Sequence, residues 1–159
     1  MYARPATLSP AKPFAVSCLV PSLAFAALTA LAVPALADDH RTPSPDGARV
    51  FIVSAEDGAT VSSPLSVVFG IEGMEVVPAG TDAPASGHHH LIVDAPQEGF
   101  DFSQAVPADD HHIHFGGGQT ETTIELAPGP HTLWLLLGDA NHVPHDPPVM
   151  SEPIEVMVE

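Results

Sequence analysis

The sequence predicts an all-β fold, specifically an immunoglobulin-like antiparallel β-sandwich of about seven strands. Short runs rich in β-branched, aliphatic and aromatic residues recur after residue 48, and clusters of Gly, Pro, Asp and Asn separate them. This part of the sequence lacks the sustained apolar periodicity of an amphipathic helix. The predicted strands are Val50–Ser54, Leu65–Ile71, His89–Asp94, Ile113–Phe115, Thr120–Leu126, His131–Leu137 and Ile154–Val158.

The turns between these strands are predicted from residues that adopt turn conformations readily. Gly or Pro residues stand at 56–58, 78–80, 116–118 and 128–130. Among the strands, the run Leu133–Leu137 is apolar on both faces, so we expect a central strand with a neighbour on each side. Trp134, within this run, is predicted to be a core residue.

The first part of the chain predicts a secretory signal peptide. An uncharged apolar stretch from Phe14 to Ala37 ends in Ala35-Leu36-Ala37, the small-residue pattern of a cleavage site. An uncleaved anchor is the alternative, because the stretch is long enough to span a bilayer. We expect a signal peptide over residues 1–37, a flexible leader over 38–48 and a single β-sandwich domain over 49–159. Export would place this domain in the periplasm or outside the cell.

The charge of the chain after residue 37 restricts its partners. This part keeps Arg41 and Arg49, 2 basic residues, against all 20 acidic residues, which gives a net charge of −18. Such a domain cannot neutralise phosphates, so we expect neither a nucleic-acid partner nor an anionic membrane surface. The same acidity keeps a domain soluble and attracts cations. The single cysteine, Cys18, lies in the predicted signal peptide, which excludes disulfide and thiol chemistry after processing.

Grouped histidines are the most informative feature of the predicted domain. Residues two apart in a strand point to the same face, so His88 with His90, and His112 with His114, form two H-x-H chelate elements. The alternation places His89 on the face of Leu91 and Val93, and leaves His88 and His90 on the face of Ile92. The same alternation turns Ile113 and Phe115 toward the core, and therefore His112 and His114 away from it.

A third pair of histidines lies in a proline-rich loop. Val143 and Asp146 both precede prolines and are pushed toward extended conformations, which stiffens the loop and brings His142 and His145 to one side. Imidazoles with nearby carboxylates suit copper(II) or zinc rather than calcium or magnesium. The sequence therefore predicts a metal site whose ligands are drawn from His88, His90, His112, His114, His142 and His145. Ordinary imidazoles gain a proton near pH 6.5, so metal binding is expected to weaken as the pH falls through that value.

Three classes of function remain open. The first is an exported domain that binds a copper or zinc ion; storage, delivery and sensing are equally compatible with it. The second is a non-catalytic cell-envelope interaction or structural domain in which histidines hydrogen-bond loops together. The third, a metal-dependent enzyme, is not favoured, because the sequence has no G-x-S-x-G elbow, Walker loop or H-E-x-x-H motif.

Several motifs together resemble one family. They are Asp57-Gly58-Ala59-Thr60-Val61, Val68–Met74, Gly87-His88-His89-His90-Leu91, His112–Glu121 and the loop Gly138–Ser151. This set is similar to that of a family of small exported bacterial proteins catalogued as a domain of unknown function, family 4399. The resemblance implies a bacterial, exported protein. It implies no activity and assigns no catalytic or binding residue.

Overall fold

A computed structural model describes residues 41–159 of the chain. The predicted signal peptide, residues 1–37, lies outside the described residues, as do residues 38–40. Residues 41–159 contain no helix, and thus none long and apolar enough to cross a membrane. Their nine strands are β1 (Arg49–Ile52), β2 (Ala59–Val61), β3 (Leu65–Glu72), β4 (Glu75–Val76), β5 (Ser86–Val93), β6 (His112–His114), β7 (Glu121–Ile124), β8 (Gly129–Gly138) and β9 (Ile154–Val158).

The strands form two sheets, which confirms the predicted all-β sandwich. The smaller sheet has the order β1-β3-β7, and the larger one has the order β2-β9-β8-β5-β4, with β6 also paired to β5. All seven predicted strands are present, six with shifted ends and Ile154–Val158 with the predicted ends, and β2 and β4 are additional. Both additional strands pair in parallel, β2 with β9 and β4 with β5. The larger sheet is therefore mixed, whereas the smaller one is purely antiparallel, and the immunoglobulin-like topology stays a prediction.

The main hydrophobic core lies between the two sheets. Its fully buried members include Val67 of β3, Leu91 of β5 and Leu135 of β8. β8 lies between β9 and β5, as its apolar character on both faces predicts. Burial of aliphatic side chains from both sheets is the dominant favourable contribution to the stability of such a sandwich.

The outer face of the larger sheet is covered as well. Ile92, Trp134 and Leu136 are fully buried there beneath Val106 and two half-buried phenylalanines of the segment after β5. Trp134 is a core residue as predicted, and its Nε1–H donates a hydrogen bond to the Ala95 carbonyl oxygen at 2.7 Å. Because this second layer shields only part of the outer face, the neighbouring positions on β5 and β8 are free to hold polar side chains.

The described part of the predicted flexible leader is attached to the domain. Pro43 forms a parallel β-bridge with Asp146. The Ser44 amide donates to the Asp146 carbonyl oxygen, and the Asp146 amide donates to the Thr42 carbonyl oxygen, each at 3.0 Å. Residues 41–44 thus form a short strap, named the N-terminal strap below. Its backbone pairs with a loop that lies far from it in the sequence, and no pattern within residues 38–48 indicates that pairing.

Candidate metal centre

The alternation of β5 sends consecutive histidines to opposite faces of the larger sheet. His88 and His90 share the outer face with Ile92, whereas His89 packs in the main core, 5.2 Å from Phe69 between ring centroids. Strand β6 runs antiparallel to β5, and its register sets His114 directly opposite His90. The predicted assignment of faces on both strands is therefore confirmed.

Four imidazole rings meet on the outer face, and we name them the histidine cluster: His88, His90, His114 and His142. Their six ring-centroid separations run from 4.8 Å, as between His88 and His90, to 6.1 Å between His90 and His142. Four imidazoles bound to one ion through nitrogens at about 2.0–2.1 Å would have ring centres about 5 Å apart in a tetrahedral arrangement. Five of the six separations, from 4.8 to 5.2 Å, are close to this value, and the separation of His90 and His142 exceeds it by about 1 Å.

Ring nitrogens as well as ring centres converge. One nitrogen each from His88, His90 and His114 lies within 4.8 Å of the other two. In a tetrahedral centre such nitrogens lie about 3.4 Å apart, so binding requires ring movements on the order of 1 Å. This part of the molecule can hold a metal ion with only local adjustment of side chains.

The buried nitrogens of the cluster lack protein partners. Nδ1 and Nε2 of His88 and Nδ1 of His90 are inaccessible to solvent and have no hydrogen-bond partner within residues 41–159. Leaving one buried polar group unpaired costs about 1–3 kcal/mol, and native proteins rarely do so without a compensating role. A metal ion binds to nitrogen lone pairs. Ring nitrogens that converge and accept no hydrogen bond are therefore suited to bind one.

The surroundings of His88, His90 and His114 favour the neutral form of these three imidazoles. Burial lowers the pKa of His88 to about 4, and repulsion from His142 and His114 acts in the same direction. Burial also lowers the pKa of His90 to about 3, together with repulsion from His88, His114 and His142. The pKa of His114 is lowered by burial and by His142. Near pH 7 each of these rings is therefore neutral, with one N–H and one nitrogen that keeps its lone pair, and the expectation that they titrate near pH 6.5 is corrected for all three.

Two glycines make room for the rings. A Cβ on Gly138 would lie 2.8 Å from Cε1 of His90 and 3.3 Å from Cα of His142. A Cβ on Gly116 would lie 2.4 Å from Cε1 of His114. Any side chain at these positions would displace an imidazole. A glycine at the end of a strand indicates a close approach, and this is the signal in the sequence that points to Gly138.

His142 reaches the cluster from a tightly bonded turn. It adopts φ +68°, in the left-handed region that residues with a Cβ rarely occupy. The buried carboxylate of Asp139 holds this turn, because its Oδ1 accepts the amide hydrogens of Asn141 at 2.8 Å and Val143 at 3.0 Å. Its Oδ2 accepts the hydroxyl of Thr42 at 2.7 Å. Asp139 therefore positions His142, and it also connects the turn to the N-terminal strap.

The two remaining predicted ligands lie outside the cluster. Nδ1 of His112 lies 2.7 Å from Oδ1 of Asp109, and the ring contacts Phe100 at 5.9 Å between centroids. His145 is fully buried, and its ring nitrogens lie 3.4 Å and 3.2 Å from the carbonyl oxygens of Leu137 and Ser86. The structure brings together four of the six predicted side chains, and it gives His145 contacts to the backbone instead.

His89 provides an internal contrast. Both of its ring nitrogens are also buried and make no hydrogen bond of good geometry in the described range. Burial lowers its pKa to about 4, and the backbone of Gln119 acts in the opposite direction. Its ring neighbours are Phe69 on the facing sheet and the apolar core. Because its side chain lies on the core side of β5, beside Phe69, His89 cannot take part in the cluster on the opposite face.

A family model described as Domain of unknown function (DUF4399) matches residues 67–159, a range that contains the whole histidine cluster and both glycines beside it. No curated protein and no solved structure matches the chain significantly. The matched range covers more than half of the chain and agrees with the resemblance inferred from the motifs. The chain therefore belongs to the family described as domain of unknown function (DUF4399).

Proposed function

We propose that this protein is an exported domain that binds one divalent transition-metal ion, copper(II) or zinc, through His88, His90, His114 and His142. The observation that carries the proposal is the convergence of these rings around buried nitrogens that have no partner among the described residues. The predicted signal peptide places this function in the periplasm or outside the cell.

The donor set favours some ions over others. Calcium and magnesium take shells of oxygen ligands, whereas the cluster offers neutral imidazoles. Imidazole suits copper and zinc, and the general order of affinities for nitrogen ligands places copper(II) above zinc. Four neutral ligands leave the full double positive charge on the ion, and the many carboxylates of the domain supply a compensating long-range field.

The lowered pKa values of His88 and His90 suit this site to binding a metal ion without the release of protons. A metal ion competes with protons for each imidazole, and the buried pair His88 and His90 is neutral well below pH 6. We therefore expect protons to compete little with the ion for His88 and His90 as the pH falls from 7.5 to about 5, and to compete strongly for these two rings only near pH 4 and below.

Titration of the protein purified without an affinity tag tests the proposal. Copper(II), zinc and calcium are added separately, and isothermal calorimetry is combined with elemental analysis of the dialysed complex. We expect one copper or zinc ion per chain and no calcium. Binding of calcium at the same stoichiometry, or retention of no transition metal at all, would contradict the proposed function.

A further inference from the structure

Strand β6 carries a second arrangement of ligand groups beside the histidine cluster. His112 and His114 lie on the same face of this strand, and both line a surface depression of about 530 Å³ together with Asp109 and Asp110. His114 is exposed and belongs to the cluster as well. This residue thus connects the buried imidazoles with the depression at the surface.

His112 is oriented like a metal ligand. Its Nδ1–H donates to the Asp109 carboxylate at 2.7 Å, which in the neutral ring leaves the lone pair on Nε2. Metal-bound histidines commonly donate their other nitrogen to a carboxylate, which fixes the tautomer and the ring orientation. Nε2 of His112 has no hydrogen-bond partner in residues 41–159, although only 10% of the side chain is exposed.

On the opposite side of the cluster, hydrogen bonds and an ion pair restrict movement. There, His142 sits in a turn that the Asp139 carboxylate bonds internally and also connects to Thr42. The strap adds the ion pair of Arg41 with Asp146 at 2.6 Å and the backbone bonds between residues 42–44 and 146. Movement of His142 would break several of these bonds, whereas movement of the exposed His114 on a three-residue edge strand breaks few.

We propose that His112 and His114 form an outer position for the same divalent ion, through which the ion reaches and leaves the histidine cluster. This inference rests on the proposed function. In this exchange His114 stays bound while the bond from the ion to one buried imidazole breaks and the bond to Nε2 of His112 forms. Water takes the positions that the other buried imidazoles leave, so each step exchanges one neutral ligand for another and no electron is transferred. The geometry assigns His112 a role in the rate of exchange, with a small role in the final affinity.

Stopped-flow mixing with Zn²⁺ tests this route in the full-length, tag-free protein. Uptake is followed with a chromophoric zinc indicator, and release is followed after addition of excess chelator. We expect His112→Gln to slow both uptake and release by about tenfold, and to change Kd by less than about threefold. Asp109→Asn should slow both rates in the same direction, because it removes the carboxylate that orients His112.

Two matched variants serve as controls. Glu121→Gln removes the same charge from an exposed carboxylate on β7 of the smaller sheet, and His111→Gln removes an exposed neighbouring imidazole whose Nδ1–H donates to the Val93 carbonyl oxygen. Both should keep the parent rates. Parent rates in His112→Gln, or a loss of affinity equal to the change in release rate, would overturn the inference. Failure of the parent protein to bind Zn²⁺ at equilibrium would overturn the proposed function itself.

Discussion

Two H-x-H elements of the same spacing lie in adjacent strands and have different surroundings. His88 and His90 lie on β5, an eight-residue strand with neighbours on both sides, and both are at most 1% exposed. His112 and His114 lie on β6, a three-residue strand whose only strand partner among residues 41–159 is β5. The H-x-H spacing therefore makes chelation possible in both strands. The place of each strand in the sheet decides whether the imidazole nitrogens are buried without partners or face solvent and carboxylates.

The largest difference between the two elements is expected in metal affinity. Replacing both His88 and His90 by alanine removes two buried ligands, so the affinity for zinc should fall by more than about a hundredfold, since even outer-shell partners contribute 10–100-fold. The double variant His112→Ala with His114→Ala removes only one member of the cluster and should lose about tenfold. Competition titration with a zinc indicator measures both losses.

The control for this comparison is the pair His111→Ala with His131→Ala. His131 lies 2.7 Å from the Asp94 carboxylate and forms a separate contact, so this double variant should bind as the parent does. Circular dichroism establishes that each variant folds. Equal losses in all three variants would mean that affinity follows the number of histidines and not their arrangement.

The next difference between the two H-x-H elements is expected in the stability of the protein in acid, to which the buried element contributes. The pKa values of His88 and His90 lie near 4 and 3 in the folded chain and near 6.5 in the unfolded chain. Below pH 6.5 the unfolded chain binds protons that the folded chain does not. The free energy of unfolding of the metal-free protein should therefore fall with the pH between 6.5 and about 4, by about 1.4 kcal/mol per pH unit for each of the two histidines.

Urea unfolding at pH 7.5, 6, 5 and 4.5 measures this slope. The variant His88→Ala with His90→Ala should have a shallower slope, and saturating zinc should move the acid transition of the parent to lower pH. His131 has a raised folded pKa, because of its bonds to the Ala127 carbonyl and the Asp94 carboxylate. Its contribution has the opposite sign: it is present below pH 6.5 and is lost as the pH rises. A parent slope unchanged by the double replacement would argue against neutral, buried rings.

A change of shape alone should weaken the site more moderately. In Gly138→Ala the new methyl group would lie 2.8 Å from the His90 ring, so the ring must shift and zinc affinity should fall by about tenfold although every histidine is retained. Gly117→Ala is the matched control, since the three atoms nearest to its methyl group all belong to the Gln119 side chain, the nearest of them at 3.1 Å. Parent affinity in Gly138→Ala, with the fold intact, would mean that the His90 ring binds metal from a different position or not at all.

The smallest expected effect concerns the histidine on the opposite face of β5. His89→Leu replaces a buried ring without hydrogen-bond partners in the described region by an apolar side chain, which should leave the protein as stable at pH 7.5 or stabilise it by up to about 1–3 kcal/mol. Metal affinity should not change. Thermal unfolding and zinc titration of the same sample measure the two quantities, and a large loss of affinity would show that the two faces are coupled.

Much of the fold is readable from the sequence because local patterns determine it. Alternation along residues 88–93 and 112–115 predicts which side chains face the core, and the apolar run 133–137 predicts a central strand. The two strands that sequence reasoning missed, β2 and β4, have three and two residues. Segments so short carry no periodicity, and their parallel pairing depends on distant partners.

The sequence predicts the candidate site only in part, because contacts between distant residues decide which of the histidines belong to it. The sequence predicts six histidine ligands. It does not show that the carboxylate three residues before His112 forms a hydrogen bond with the His112 ring. It also does not reveal that His145 faces two backbone carbonyls. The contact between Thr42 and Asp139 spans 97 residues, so no local pattern predicts that the leader supports the turn of His142.

X-ray absorption at the zinc K-edge of the one-to-one complex tests the central claim most directly, because it counts the ligands of the bound ion. We predict four imidazole nitrogens at about 2.0–2.1 Å, with the outer-shell scattering that histidine rings produce. In His88→Ala with His90→Ala, any residual zinc should have fewer imidazoles and more oxygen ligands. A parent spectrum dominated by oxygen, with at most one imidazole, would contradict a centre built from the histidine cluster.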